Sequence, residues 1–290
     1  MQDLSLIDLD IVSLDYYQFI SSWLYNGPEG TFLVDPGPAC TVDVLCKKLR
    51  ECGVDKLDWI LLTHIHLDHA GSIGHLAEVF PGAGIVCHNK AVPHLQDPSK
   101  LWEGSLQTLG EVAEVYGKIK PVPQERLSTR KNIPFAQGIE VIDTPGHAPH
   151  HLCFVFKNLI FVGELFGVFT QLTDCYYLRP ATPPKFLAET FFQSMHRIAP
   201  YTPRCLCFGH YGSYPNGAEI ANNAEQQLKL WISVVQEHLE QADTQTILED
   251  LINRDPLFKR VNHLEPKSYQ REMHFAKNTI KGIYQYLRDN

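Results

Sequence analysis

The 290-residue sequence contains no apolar run of the roughly 18 residues that a membrane-spanning helix needs, so no transmembrane segment is expected. It is also short of positive charge. Lys and Arg number 25 against 33 Asp and Glu, for a net charge of −8. That balance speaks against nucleic acid or an anionic membrane as a partner, since both attract a basic face. Neither a low-complexity tract nor a long linker interrupts the chain. The start, MQDLSLIDLDIV, has no basic segment leading into a continuous apolar stretch, so no secretory leader is expected. The 8 cysteines are too sparse for a disulfide framework and sit inside helix-like and strand-like runs. Cys205 and Cys207 in RCLCFGH read as strand alternation, with both thiols on one face. A reducing, cytoplasmic location is the expectation.

Hydrophobic residues make up 44% and charged residues 20%, enough apolar content for one large domain or a domain with a smaller companion. LSLIDLDIV alternates apolar and polar residues as a half-buried strand does, and FISSWLYN and TFLVD flank the turn signal GPEG as a hairpin. TVDVLCKKLRECG has helical spacing and stops at Gly53. KLDWILLT reads as a buried strand, AGSIGHLAEVF as a helix and AGIVCHN as the next strand. Residues 98–118 are helical in pattern. GIEVIDT is a strand, HLCFVF and LIFVGE are a second hairpin about Lys157–Asn158, Pro183 to Ile198 looks helical, and RCLCFGH is a last strand. The hairpin-then-α/β pattern thus occurs twice, which suggests two similar halves with their sheets face to face and helices outside. From residue 218 to 290 the pattern is helical, with Leu228, Trp231, Val235 and Leu239 recurring at helical spacing. The expected division is a catalytic domain over 1–217 and an α-helical extension over 218–290, whose apolar stripe packs on the sandwich or on a second subunit.

The most informative stretch is ILLTHIHLDHAG, residues 60–71. An aliphatic strand ends at Thr63 and hands over to His64, His66, Asp68 and His69. In an extended segment residues two apart point the same way, so His64 and His66 face one point. Asp68 and His69 follow where the chain turns toward a helix. A core could not satisfy so many polar groups, each costing about 1–3 kcal/mol when left unpaired. Imidazole and carboxylate are instead good ligands for zinc, iron or manganese. Other strand ends offer partners beside glycines: His147 in VIDTPGHAPHH, Glu164 in LIFVGELFG and His210 in CLCFGHYG. His150 and His151 are weaker candidates: one would line the pocket, and a place on the surface or behind the ligands is the equal alternative for either. His75, His88 and His94 read as packing or capping residues.

This set of motifs, in this order over about residues 4–214, resembles the metallo-β-lactamase superfamily. The resemblance implies a four-layer αβ/βα sandwich. It implies a first metal on His64, His66 and His147, and a second on Asp68, His69 and His210, with the carboxylate of VGE bridging them. It also matches VDPG at Val34–Gly37, where Asp35 would orient a ligand; a simple turn residue is the alternative. One position departs from the pattern: the family usually has aspartate where this chain has Glu164.

A metal pair of this kind lowers the pKa of a shared water and polarises the bond under attack, and Asp68 would position the hydroxide and receive its proton. The expected activity is therefore metal-dependent hydrolysis of a small-molecule ester, lactone or thioester through a metal-bridged hydroxide, with two divalent ions, zinc first and iron or manganese next. The alternative is a non-hydrolytic member of the same fold, either a metal-binding protein or a di-iron or mononuclear iron oxidoreductase. The stretch GVFTQLTDCYYLRPATPPKF is a candidate pocket wall, with Tyr176 or Tyr177 for an oxyanion and Arg179 for a substrate carboxylate; a surface loop before the helix is the plainer reading. Tyr211 is a similar candidate. The expected partner is a small-molecule substrate, with no nucleic acid or membrane and with self-association through the helical extension.

Overall fold

The computed structural model describes residues 3–129, 132–133, 138–184, 186–240 and 243–290. It divides into two compact units. The first holds residues up to Asp143 together with His150–Gly163; the second holds Thr144–Pro149 and Glu164–Asn290. Among the described residues, no helix is long and apolar enough to cross a membrane.

The first unit opens with β1 (Leu4–Asp8), β2 (Ser21–Gly27) and β3 (Gly30–Val34), and continues with α1 (Val42–Glu51) and β4 (Trp59–Leu61). Next come α2 (Leu67–Ala70), α3 (Ile73–Val79), β5 (Gly84–Val86), α4 (Val92–Gln96), α5 (Ser99–Leu109), α6 (Glu111–Tyr116) and β6 (Leu127–Ser128). The first six strands form one sheet in sequence order. Its β1–β2–β3 part is antiparallel, and β3 through β6 run parallel, joined by the helical crossovers that parallel pairs require. A second set, β7 (Asn132–Ile133), β8 (Ile139–Asp143), β9 (Leu152–Phe156) and β10 (Leu159–Gly163), is antiparallel throughout.

The two sets face each other across an aromatic core. Trp23 and Tyr25 lie two apart on β2 and so share a face. Tyr25 stacks on its cross-strand neighbour Phe32 at 5.0 Å, and both meet Phe156 of β9 edge-on, at 4.9 and 5.3 Å. Trp23 and Phe32 reach Phe161 of β10 at 6.5 and 6.0 Å. Such aromatic pairs contribute about 0.5–1.5 kcal/mol each beyond burial.

The second unit contains two hairpins, β11 (Val168–Gln171) with β12 (Tyr176–Arg179) and β13 (Cys205–Phe208) with β14 (Ser213–Tyr214). Around them lie α7 (Ala188–Ile198), α8 (Gly217–Glu237), α9 (Thr244–Arg254) and α10 (Pro266–Asp289). Leu228, Trp231 and Val235 of α8 are buried, with Trp231 edge-on to Phe258 at 4.9 Å. The helix stops at Glu237, so Leu239 falls past its end and is half-buried. Helix α8 packs against α7, α9, α10 and β12. The apolar stripe is thus consumed within the chain.

Several elements differ in detail from the sequence pattern. The helical run 98–118 is two helices, α5 and α6, broken at Gly110, whose φ of +55° lies in the left-handed region that glycine enters without a steric penalty. The run from Pro183 becomes helical only at Ala188, because Leu187 before it is extended (φ −128°, ψ 104°). The candidate pocket wall after Glu164 contains the β11–β12 hairpin.

Candidate metal centre

In the first unit, β4 ends at Leu61, the chain bends at Thr63, and His66 is extended (φ −61°, ψ 153°) just before α2 begins. His64 and His66 lie between that bend and the helix with their rings close together, and the helical turn carries Asp68 and His69. His64 Nε2 and His66 Nδ1 are 3.1 Å apart, and His69 Nε2 is 3.8 Å from Asp68 Oδ2. His64 and His69 are buried, whereas the Asp68 side chain is 17% exposed.

Behind these residues stands Asp35, at the end of β3, 2% exposed and with a φ of +52°. Its carboxylate accepts from the Thr63 backbone N–H (2.8 Å), the Thr63 hydroxyl (2.6 Å) and His69 Nδ1 (3.1 Å). The left-handed backbone costs about 1–2 kcal/mol for a residue with a Cβ; the three bonds to a buried charge outweigh it. Thr63 spends its only hydroxyl proton on Asp35, so at 3.1 Å its oxygen accepts from His64 Nδ1–H. His64 and His69 therefore each donate from Nδ1–H, and each keeps a lone pair on Nε2.

His150 and His151 also sit here. The His150 ring is 6.4 Å from His64 and 6.1 Å from His66, and the His151 ring is 5.4 Å from His64. Gly163, at the end of β10, has φ +52°, and a Cβ there would come within 2.5 Å of His151 Nε2 and 2.9 Å of Thr63 Oγ1. Only a residue without a side chain lets that strand end approach so closely. His88, by contrast, is a capping residue: its Nδ1 accepts the Lys90 N–H at 3.0 Å.

The second unit holds a matching cluster. His147 Nδ1 lies 3.0 Å from the Ala181 carbonyl, which can only accept, so the ring donates from Nδ1 and carries its lone pair on Nε2. That Nε2 is 2.7 Å from Glu164 Oε2, and His210 Nε2 is 3.5 Å from Glu164 Oε1. Each carboxylate oxygen of Glu164 thus faces a different imidazole. A lone-pair nitrogen against a carboxylate oxygen at 2.7 Å repels unless a proton or a cation lies between them, so the donors suit a metal. His147, Glu164 and His210 are buried.

The candidate substrate contacts have other partners. Arg179 is 3% exposed and its Nε donates to Glu272 Oε2 at 2.6 Å. Tyr177 OH donates to the same oxygen at 3.2 Å, and burial pushes its phenol well above the usual range. Arg179 is therefore neutralised inside the unit, and neither side chain is presented to solvent. Tyr176 OH donates to Glu219 at 3.2 Å and accepts from Asn223 at 2.6 Å. Tyr211 is partly exposed, with its N–H bonded to the Phe169 carbonyl at 3.1 Å.

Sequence reasoning passed over Thr63, Gly163, Ala181 and Glu272. Thr63 had a local signal, a hydroxyl directly before the H-x-H string. Ala181 and Glu272 had none, since each acts on a residue far away in the chain.

Residues 16–210 match the family described as the metallo-beta-lactamase superfamily. A metallo-beta-lactamase fold-containing protein of Sulfurisphaera tokodaii is 30% identical over 166 residues, which are 55% of this chain and 62% of that protein. A hydroxyacylglutathione hydrolase of Xylella fastidiosa is 29% identical over 202 residues, 68% of this chain and 61% of that one. The chain thus spans about three-fifths of the length of each of these two. Among solved structures, an archaeal metallo-beta-lactamase superfamily protein from Sulfolobus tokodaii superposes with a TM-score of 0.69 at 21% identity, covering 99% of this chain and 98% of that one. A metallo-beta-lactamase family protein from Thermus thermophilus gives 0.68 at 20% identity, covering 100% and 94%. The mixed α/β architecture with C-terminal helices is the one these structures share. With both histidine clusters at its strand ends and the family match running through them, the chain belongs to the metallo-beta-lactamase superfamily.

Proposed function

We propose that the two clusters together hold two divalent cations, and that the protein is a hydrolase of small-molecule esters, lactones or thioesters. His64, His66 and His147 would hold one ion and Asp68, His69 and His210 the other, with Glu164 giving one oxygen to each. The observation that carries this reading is the preset tautomer. His64, His69 and His147 each tie up Nδ1, to Thr63, Asp35 and Ala181, and keep Nε2 as a ligand. Packing alone has no use for such a pattern. Zinc is the proposed metal, and iron or manganese suit the same nitrogen and carboxylate donors.

Such an ion pair supplies hydroxide near neutral pH and polarises the bond under attack. The chain's own residues do the rest. Asp68 has the more exposed carboxylate, so its Oδ2 is proposed to take the proton of the attacking water. Glu164 holds both sides of the site by splitting its oxygens, a task its longer side chain performs in place of aspartate. Asp35 and Thr63 keep His64 and His69 in one orientation. A thioester or related substrate is favoured because hydroxyacylglutathione hydrolases are among the relatives.

The test is a panel of esters, lactones, thioesters and phosphodiesters, run on zinc-loaded and metal-stripped protein. Metal-dependent turnover of one of the first three classes supports the reading. Phosphodiester turnover alone, or oxidation of a thiol by the iron-loaded protein without hydrolysis, would replace it.

A further inference from the structure

Helix α10 lies against the segment that receives the His147 proton. Its buried residues Glu272, Ala276, Thr279 and Ile283 recur three and four apart and so share one face. Three contacts tie that face to residues 179–182. Arg179 Nε donates to Glu272 Oε2 at 2.6 Å, Thr279 Oγ1 donates to the Pro180 carbonyl at 3.1 Å, and Thr182 Oγ1 donates to the Thr279 carbonyl at 3.0 Å. The approach is close: a Cβ at Gly282 would lie 2.2 Å from the Thr182 carbonyl oxygen. Between Pro180 and Thr182 sits Ala181, whose carbonyl accepts a hydrogen bond from His147 Nδ1–H at 3.0 Å.

We infer that the C-terminal helix positions His147 for the metal, with Glu272 and Thr279 acting through the backbone at Ala181. The inference rests on the proposed role of His147 as a ligand. The helix contacts hold the 179–182 backbone on both sides of one carbonyl. That carbonyl fixes which nitrogen of His147 is protonated and how the ring is turned. If the backbone drifts, the ring turns with it and the Nε2 lone pair no longer points at Glu164. Glu272 also carries the cost of the buried Arg179, so the segment stays closed only while the helix is docked.

The 290-residue chain is compared as wild type, Thr279→Val, Thr279→Ser, Glu272→Gln, Ile247→Val and His147→Ala. Zinc affinity is read by competition with a chromogenic chelator, Co(II) absorption reports ligand geometry, and thermal melts report stability. Thr279→Val and Glu272→Gln should weaken zinc about tenfold, the lower end for partners behind a metal ligand, and should shift the Co(II) bands. Thr279→Ser should restore wild-type affinity, because it keeps the hydroxyl. Ile247→Val, a buried change in α9, should lower the melting temperature and leave affinity alone. Wild-type affinity in folded Thr279→Val overturns the inference, as does an equal loss in Ile247→Val. If Glu272→Gln does not fold, Thr279→Val decides alone. His147→Ala separates the two levels. If it binds zinc like wild type, His147 is no ligand and the proposed site falls with the inference. If it loses zinc while Thr279→Val does not, only the role of the helix is wrong.

Discussion

Asp35 accepts the Nδ1 proton of His69 at 3.1 Å, with both side chains almost wholly buried. The pair joins the end of β3 to the first turn of α2, and the same carboxylate also holds Thr63. Asp35→Asn keeps the shape but replaces one accepting oxygen with a donor. The amide NH2 then faces either the Thr63 N–H, which Oδ1 accepts, or the Thr63 hydroxyl and the His69 ring, which share Oδ2. We expect metal affinity to fall about 10–100-fold, as for other partners of ligating histidines. Titration with a competing chelator checks this, with a thermal melt to confirm folding.

Glu164 splits its oxygens between His147 and His210, at 2.7 and 3.5 Å. Glu164→Gln keeps the length and removes the charge, so it should retain one tightly held metal and lose the other. Glu164→Asp keeps the charge and should retain more metal than the glutamine variant. Elemental analysis after zinc loading and desalting gives the counts. Equal counts in wild type and Glu164→Gln would deny the carboxylate a bridging part.

The buried cluster at α10 makes a stability prediction. Burial pushes the Glu272 carboxyl up, but the Arg179 and Arg271 guanidiniums outweigh it and hold it below its ordinary value of 4.5. Glu272→Ala leaves the Arg179 charge buried without a counter-ion, and urea unfolding should show a loss of about 3–5 kcal/mol. Adding Arg179→Met should recover part of that loss. The pH dependence has a definite sign. Because the folded pKa is depressed, the contribution is complete above about 4.5 and disappears as pH falls through the lower folded value. Wild type should therefore lose stability faster than Glu272→Gln in that acid range.

How much of this was readable from the chain depends on sequence distance. His64, His66, Asp68 and His69 fall within six positions, and the strand before them and the helical turn after them follow from local pattern. The hairpin around Lys157–Asn158 and the stripe on α8 were readable for the same reason, since period two and period three-to-four are local properties. The β11–β12 hairpin was missed because its loop, residues 172–175, lacks the glycine or asparagine that marks a tight turn. Arg179 looked like a free charge before a helix, because its counter-ion lies 93 residues further on. Thr63 and Gly163 looked ordinary, since what makes each of them necessary is a neighbour from another strand.

His151 offers a contrast with the ligands. It is fully buried, and its ring lies 5.4 Å from His64. It is assigned no metal, so His151→Ala should lower the melting temperature and cost metal affinity less than His66→Ala does. Side-by-side melts and metal counts on the two variants check the order.

The most direct measurement is metal content and turnover on the same samples of wild type, His66→Ala and Asp68→Ala, each loaded with zinc and desalted. Wild type should hold close to two metals per chain and hydrolyse its ester, lactone or thioester substrate. His66→Ala should lose metal and activity together. Asp68→Ala should lose activity even where metal remains, by about 10²–10⁴, the usual contribution of a positioned proton acceptor. The contrary result would be wild type that never binds more than one metal, with Asp68→Ala turning over as fast as wild type.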